Sequence, residues 1–196
     1  MNWPRLVFVA LILFGALNWW NGREVSLPPG VVAADLPVQA PVSGDREFTR
    51  NGYRIRVLAR FEISARVLGA EHYRIDREAQ LAPVDLALGW GRMSDSAVLE
   101  RIQISQSGRF YFWRTNDFPI PRREIETSSA NMHMIPADDR VEAALKAIRK
   151  GQVVTVRGYL VEAVAADGWR WRSSTTRDDT GAGACELIWV ESVSPA

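Results

Sequence analysis

The side chains of this chain that could carry out proton transfer or bind a metal are few: two histidines and one cysteine among 196 residues. His133 is the stronger candidate for a general base, because residues 131–135 read as a strand and a strand fixes the direction of a side chain. A hydrolase would pair His133 with Asp138 or Asp179. Neither carboxylate adjoins the imidazole in sequence, which favours a half-buried structural histidine.

Other motifs with chemical meaning are weaker. Residues 179–181 match the Asp-Thr-Gly triplet of aspartic proteases, but polar residues precede them where that family has an apolar strand. His72 lies in a polar loop without a second histidine that could complete a metal site. The lone Cys185 excludes an internal disulfide and a CxxC site. The sequence therefore predicts no metal, no cofactor and no enzymatic activity.

Arginine supplies most of the positive charge, although the net charge is only +1. Arg54, Arg56 and Arg60 recur at even positions of one strand, and guanidinium groups bind carboxylates and phosphates bidentately. Such a row could form a basic binding face, unless neighbouring acidic residues pair with it and cancel it. A second candidate is the glycine-flanked turn with Trp90 and Arg92, which could bind an anion or a sugar ring or could simply pack.

Tryptophan and arginine alternate over residues 169–172. Trp169 and Trp171 share one side of a predicted strand, and Arg170 and Arg172 share the other. Stacking and phosphate contact would suit single-stranded nucleic acid. Cross-strand packing of the tryptophans is favoured, because the near-neutral chain has no field to recruit a polyanion. Nucleic acid is thus an alternative and not the expected partner.

The elements that must position these residues are mostly strands. Over residues 53–67 every odd position is apolar and all but one of the even positions is polar, which predicts a long strand buried on one face. The clearest helix has Val141, Leu145 and Ile148 on one stripe. Further strands are predicted at 152–164, with a bend at Gly158, and at 185–193, with hairpin turns at 107–108 and 167–168. The predicted fold class is α+β, mainly β: a small antiparallel barrel or strongly bent sheet, similar in part to the OB type, with one or two short helices.

The N-terminal residues have a different composition. Arg5 precedes an apolar run over residues 6–17, with tryptophans near both ends. This pattern predicts a transmembrane signal anchor at 1–22 that contacts a bacterial inner membrane through residues 3–20, with a cleaved signal or a buried helix as alternatives. The predicted topology is single-pass, with a cytoplasmic N-terminus. A proline-rich extended linker at 23–47 and a periplasmic β-rich domain at 48–196 would follow.

Three stretches carry a resemblance: GWGRMSD at 89–95, NMHMIPA at 131–137 and RSSTTRDDTGAGACELIWVE at 172–191. Together they resemble an uncharacterised family of short bacterial envelope proteins that are anchored or exported. The resemblance implies a β-rich domain and supplies no catalytic residues.

The function expected from the sequence is non-enzymatic: a membrane-anchored envelope protein whose β-rich domain binds a protein or an envelope polymer through a basic or aromatic face. The alternatives are the hydrolase built on His133 and the nucleic-acid-binding module. The sequence makes no prediction of oligomeric state.

Overall fold

The computed structural model describes residues 3–21, 23–176 and 185–196. Helix α1 covers Trp3–Asn21, α2 Ser96–Leu99, α3 Arg122–Thr127 and α4 Asp139–Lys146. The strands are β1 (Val38–Ala40), β2 (Glu47–Arg50), β3 (Tyr53–His72), β4 (Val84–Gly89), β5 (Gln103–Ser107), β6 (Phe110–Arg114), β7 (Ser129–Pro136), β8 (Val153–Val164), β9 (Arg170–Arg172) and β10 (Glu186–Pro195). The fold is mainly β with short helices in the body, as predicted.

Five strands pair into a closed ring in the order β3, β4, β7, β10 and β8, and β8 pairs again with β3. The sheet is therefore strongly curved, as predicted. It is not wholly antiparallel, because β10 runs parallel to β7. Strands β1, β2 and β9 lie outside the ring, against β3 and β8, while β5 and β6 form a separate hairpin.

Each face of the sheet packs on its own core. The first core receives side chains from all five ring strands and from α4; it includes Phe61, Leu86, Met134, Leu145, Val156 and Ile188. The second core lies on the other face and includes Ile55, Leu81, Ile135, Val161 and Trp189. The third core, under β5 and β6, includes Leu68, Met93, Ile120 and Ile125. Side chains therefore cover both faces of the ring over much of its surface.

Strand β3 is longer than predicted and changes face part-way along. The register with β8 slips between Val57 and Ala59, so that Leu58 is an extra residue, or bulge. Ile55, before the bulge, packs in the second core, whereas Phe61, after it, packs in the first. The prediction that all odd positions share one buried face is therefore wrong, because a bulge reverses the inside–outside alternation.

The segment between α1 and β2 lies against the body. Val25 N donates to Lys150 O at 2.9 Å, Gly30 N donates to Asp95 Oδ1 at 2.8 Å, and β1 pairs with β3. The two hydrogen bonds of Asp95, with Gly30 N and then Ala97 N, lower the pKa of this carboxyl. Much of the predicted linker thus lies along the domain, and we call the segment of residues 23–46 the strap.

The predicted membrane topology needs correction. Within the described residues, no helix is both long enough and apolar enough to cross a bilayer. The predicted localisation in the inner membrane is therefore wrong, and the predicted transmembrane anchor at 1–22 is not confirmed.

Candidate functional site

His133 meets a carboxylate that lies far from it in the sequence. Strands β4 and β7 pair antiparallel with Asp85 opposite His133, so both side chains leave the same face of the sheet. The His133 Nδ1 atom lies 2.9 Å from Asp85 Oδ2, and both side chains are buried. The N–H direction is not aligned for a hydrogen bond, so this is a close electrostatic contact only.

The guanidinium of Arg109 satisfies the other oxygen of Asp85. Its Nη1 atom donates to Asp85 Oδ1 at 3.0 Å and to Ala82 O at 2.8 Å, and its Nη2 atom donates to Asp76 Oδ1 at 2.8 Å. The guanidinium carbon lies 3.7 Å from the centroid of the Tyr73 ring. Burial raises the pKa of Tyr73, and the nearby Asp85 carboxylate raises it further. Asp85 is thus the central acceptor of a buried cluster.

Arg109 reaches this cluster from the turn between β5 and β6. Gly108 and Arg109 both have positive φ, at 56° and 71°, as the tight turn of a two-residue hairpin requires. The turn therefore lies one residue later than the predicted 107–108. Asn131 Nδ2 donates to Arg109 O at 2.9 Å, and Gln106 Nε2 donates to Asn131 Oδ1 at 2.7 Å. The network fastens the hairpin to the ring.

Trp171 covers the imidazole from outside. Its ring centroid lies 4.7 Å from that of His133. A general base must reach a proton on its substrate, and this ring is buried beneath a tryptophan. The arrangement can hold charges in place and orient the hairpin, but it offers no open face to a substrate.

Among the described residues, the carboxylate beside His133 is Asp85 and not the predicted Asp138. Asp138 caps α4, accepting from Val141 N at 2.8 Å, and Asp179 lies outside the described residues. Asp138 is therefore not the partner of His133, and the predicted pairing with Asp179 stays a prediction. Sequence reasoning missed Asp85 and Arg109. The one available signal was an aspartate inside the otherwise apolar run of β4, which needs a buried partner.

The arginines of β3 do not form one row. Because the bulge at Leu58 reverses the alternation, Arg54 and Arg56 lie on the opposite side of the sheet from Arg60. Arg56 also pairs with the buried carboxylate of Glu162, which lies 3.6 Å from Arg172 Nη1. The expected face of evenly spaced guanidinium groups is therefore absent from β3, and any binding role of these arginines stays a prediction.

The two aromatic candidates lie in different surroundings. Trp90 is buried in the first core, and Arg92 pairs with Glu124 through a bidentate contact. Trp169 and Trp171 pack on the second core with their rings 6.1 Å apart, while Arg170 is exposed. Most of the indole surface faces inward, and a binding role of either group stays a prediction.

The hairpin of β5 and β6 leaves aromatic side chains in solvent. Tyr111, Trp113 and Ile104 pack against the third core, whereas Phe110 and Phe112 face outward with 44% and 52% of their surface exposed. Within the part of the chain that the structure describes, β6 pairs only with β5. The residue pattern FYFW could have signalled this arrangement, since alternate side chains of a strand point to opposite faces.

The buried hydroxyl of Tyr111 makes the hairpin sensitive to alkaline pH. It bonds Ser129 Oγ at 3.1 Å, and burial raises the pKa of Tyr111 to about 12 from an ordinary value of 10.0. The folded protein holds the Tyr111 proton more tightly than the unfolded chain does. The stabilisation that results is fully present below the unfolded-state pKa, and it is lost as the pH rises from about 10 to 12.

We expect Tyr111→Phe to remove this dependence. The variant should lose about 1 kcal/mol at pH 8, where the wild-type hydrogen bond is intact. The gap between the two proteins should close above pH 10, measured by urea unfolding at successive pH values. A gap that stays constant up to pH 12 would show that Tyr111 does not ionise on unfolding.

No family model, no curated protein and no solved structure matches the chain. The resemblance to bacterial envelope proteins stays a prediction.

Proposed function

We propose that this protein is a binding module that takes an extended polypeptide segment onto the β6 edge of its hairpin. The observation that carries the proposal is the outward pair of Phe110 and Phe112 on a strand whose outer edge pairs with no described strand. An unpaired edge offers main-chain N–H and C=O groups, which another strand satisfies in register.

The composition of β6 supports an edge that accepts a partner. Protein edges are usually blunted by lysine, proline or a bulge. Strand β6 has none of these; Arg109 and Arg114 merely flank its aromatic residues, and the pairing with β5 is regular. A two-stranded hairpin is marginal by itself, so an added strand would also stabilise it.

The exposed side chains favour a polypeptide over other polymers. Phe110 and Phe112 lack the polar group with which tyrosine and tryptophan usually contact wet ligands such as sugars. Several charges near the hairpin are already paired: Arg92 with Glu124, Arg101 with Asp117, and Arg122 with Glu126. Arg114 is an exposed cation at the end of β6. A nucleic acid would need several free cations along the strand, where β6 offers this one. The segment we expect is apolar at alternate positions and close to neutral.

The test is to select, from a displayed library of short random peptides, those that bind the full chain. We expect the enriched peptides to alternate apolar and polar residues and to slow hydrogen exchange at the amides of β6. In fluorescence anisotropy, Phe112→Ser should weaken the best peptide roughly tenfold or more, because burying a phenylalanine contributes about 1.5–3 kcal/mol.

Phe118→Ser is the matched control. Phe118 is 49% exposed but lies outside β6, with its ring edge-on to Trp113 at 6.1 Å. It should leave peptide affinity unchanged. The proposal is overturned if both serine variants bind equally well or if only oligosaccharides or single-stranded DNA bind. Association of two copies through β6, seen by light scattering, would equally overturn it.

A further inference from the structure

A groove of about 460 Å³ lies where the strap meets the body, away from the hairpin's exposed face. Leu27 of the strap forms part of one wall, and Leu68, Leu99 and Ile104 supply apolar surface from the body. This volume lies within the range of small-molecule sites, which combine apolar walls with a few polar groups.

One charged group in the wall of this groove is an arginine that forms no ion pair with any described residue. Arg66 is only 5% exposed. Its Nη1 atom donates to Ser94 O at 3.0 Å and to Ser96 Oγ at 2.7 Å. Both acceptors are neutral, and among the described residues no carboxylate lies within ion-pair distance of this guanidinium.

The surroundings of Arg66 disfavour its charged form. Burial lowers the pKa of Arg66, and the more distant carboxylates of Glu24 and Asp95 only partly offset the effect. A buried charge is normally paired, because leaving it unpaired costs several kcal/mol. An anion seated against Arg66 would supply the missing partner.

The other charges of the groove limit how negative that anion can be. Lys150 Nζ already lies 3.1 Å from Glu24 Oε2, and Glu100 stands exposed at the rim. The four charged side chains lining the groove therefore sum to zero, with two carboxylates present. A phosphate dianion would meet that negative charge, whereas one carboxylate fits a single guanidinium.

We propose that this groove binds a small organic monocarboxylate, with the carboxylate on Arg66 and an aliphatic tail along Leu27, Leu68, Leu99 and Ile104. The site lies on different residues from the peptide-binding edge and does not depend on it. Because Ser96 Oγ also donates to Leu27 O at 2.8 Å, the same serine joins the strap to the arginine.

The test is isothermal titration of the full chain with octanoate, compared with octylammonium and with inorganic phosphate. We expect octanoate alone to bind. Arg66→Met should weaken it by about tenfold or more, the equivalent of one charge-assisted hydrogen bond. Arg60→Met removes an exposed arginine of the same strand and should leave the affinity unchanged.

A second variant separates the loss of binding from the loss of folding. Leu99→Trp fills the groove, keeps Arg66 and its hydrogen bonds, and should also abolish octanoate binding. Phe112→Ser should bind octanoate normally, which distinguishes this site from the hairpin. The inference is overturned if octylammonium or phosphate binds as well as octanoate, or if Arg66→Met and Leu99→Trp both retain wild-type affinity.

Discussion

Replacing Asp85 by alanine is expected to destabilise the fold by about 3–5 kcal/mol, the usual cost of removing one partner from a buried ion pair. Arg109 would keep its charge in a place where only 14% of its side chain is exposed, and it would lose its bond of 3.0 Å to Asp85. His133 would lose its charged neighbour at 2.9 Å. Urea unfolding followed by tryptophan fluorescence and circular dichroism measures the loss.

Asp76→Ala is the matched control, because Asp76 binds the same guanidinium at 2.8 Å but is 43% exposed. Exposed pairs contribute about 0.2–1 kcal/mol, and Asp76 Oδ1 also accepts a hydrogen bond from Ala79 N that contributes about 1 kcal/mol. The Asp76 variant should therefore lose clearly less stability than Asp85→Ala. Adding Arg109→Met to Asp85→Ala should recover part of the stability, because the stranded charge is gone. Equal losses in the Asp85 and Asp76 variants would contradict the central position of Asp85.

Gly158→Ala is expected to destabilise the fold by about 2–3 kcal/mol, at the upper end of the cost of overpacking. Gly158 lies in β8 between Phe61 of β3 and Val190 of β10, where the ring closes. A Cβ atom there would stand 1.9 Å from Trp189 O and 3.2 Å from Glu191 N. Both contacts are backbone atoms, so β10 must move away from β8.

The control for Gly158 is Gly168→Ala, in the turn after β8. Its φ is +89°, and a Cβ atom there would meet no atom within 4 Å. Only backbone strain of about 1 kcal/mol is expected. The midpoint of urea unfolding reports both changes, and hydrogen exchange of the β8 and β10 amides should quicken in the Gly158 variant alone. Retained protection of those amides would show that the ring tolerates the extra atom.

An irregularity at Gly158 was predictable from the neighbouring residues alone. A glycine inside an apolar strand run predicted a bulge or bend there, whereas the structure shows close approach of the β10 backbone. The sequence could not identify the approaching atom as Trp189 O, because the contact depends on the irregular register of β8 with β10. The hairpin turn near Gly108 was predictable to within one residue for the same local reason.

What the sequence alone determined were features set by neighbouring residues: the long strand that became β3, the apolar stripe of α4 and the mainly β character of the body. Only the tertiary structure decided how faces and partners were assigned. The bulge at Leu58 placed the arginines of β3 on opposite faces of the sheet. The register of β4 with β7 placed Asp85 beside His133. The strap packed over the groove that Arg66 lines. Alternation is a local property of a strand, whereas register, bulges and burial follow from pairing between distant segments, and a shift of one residue reverses every side chain beyond it.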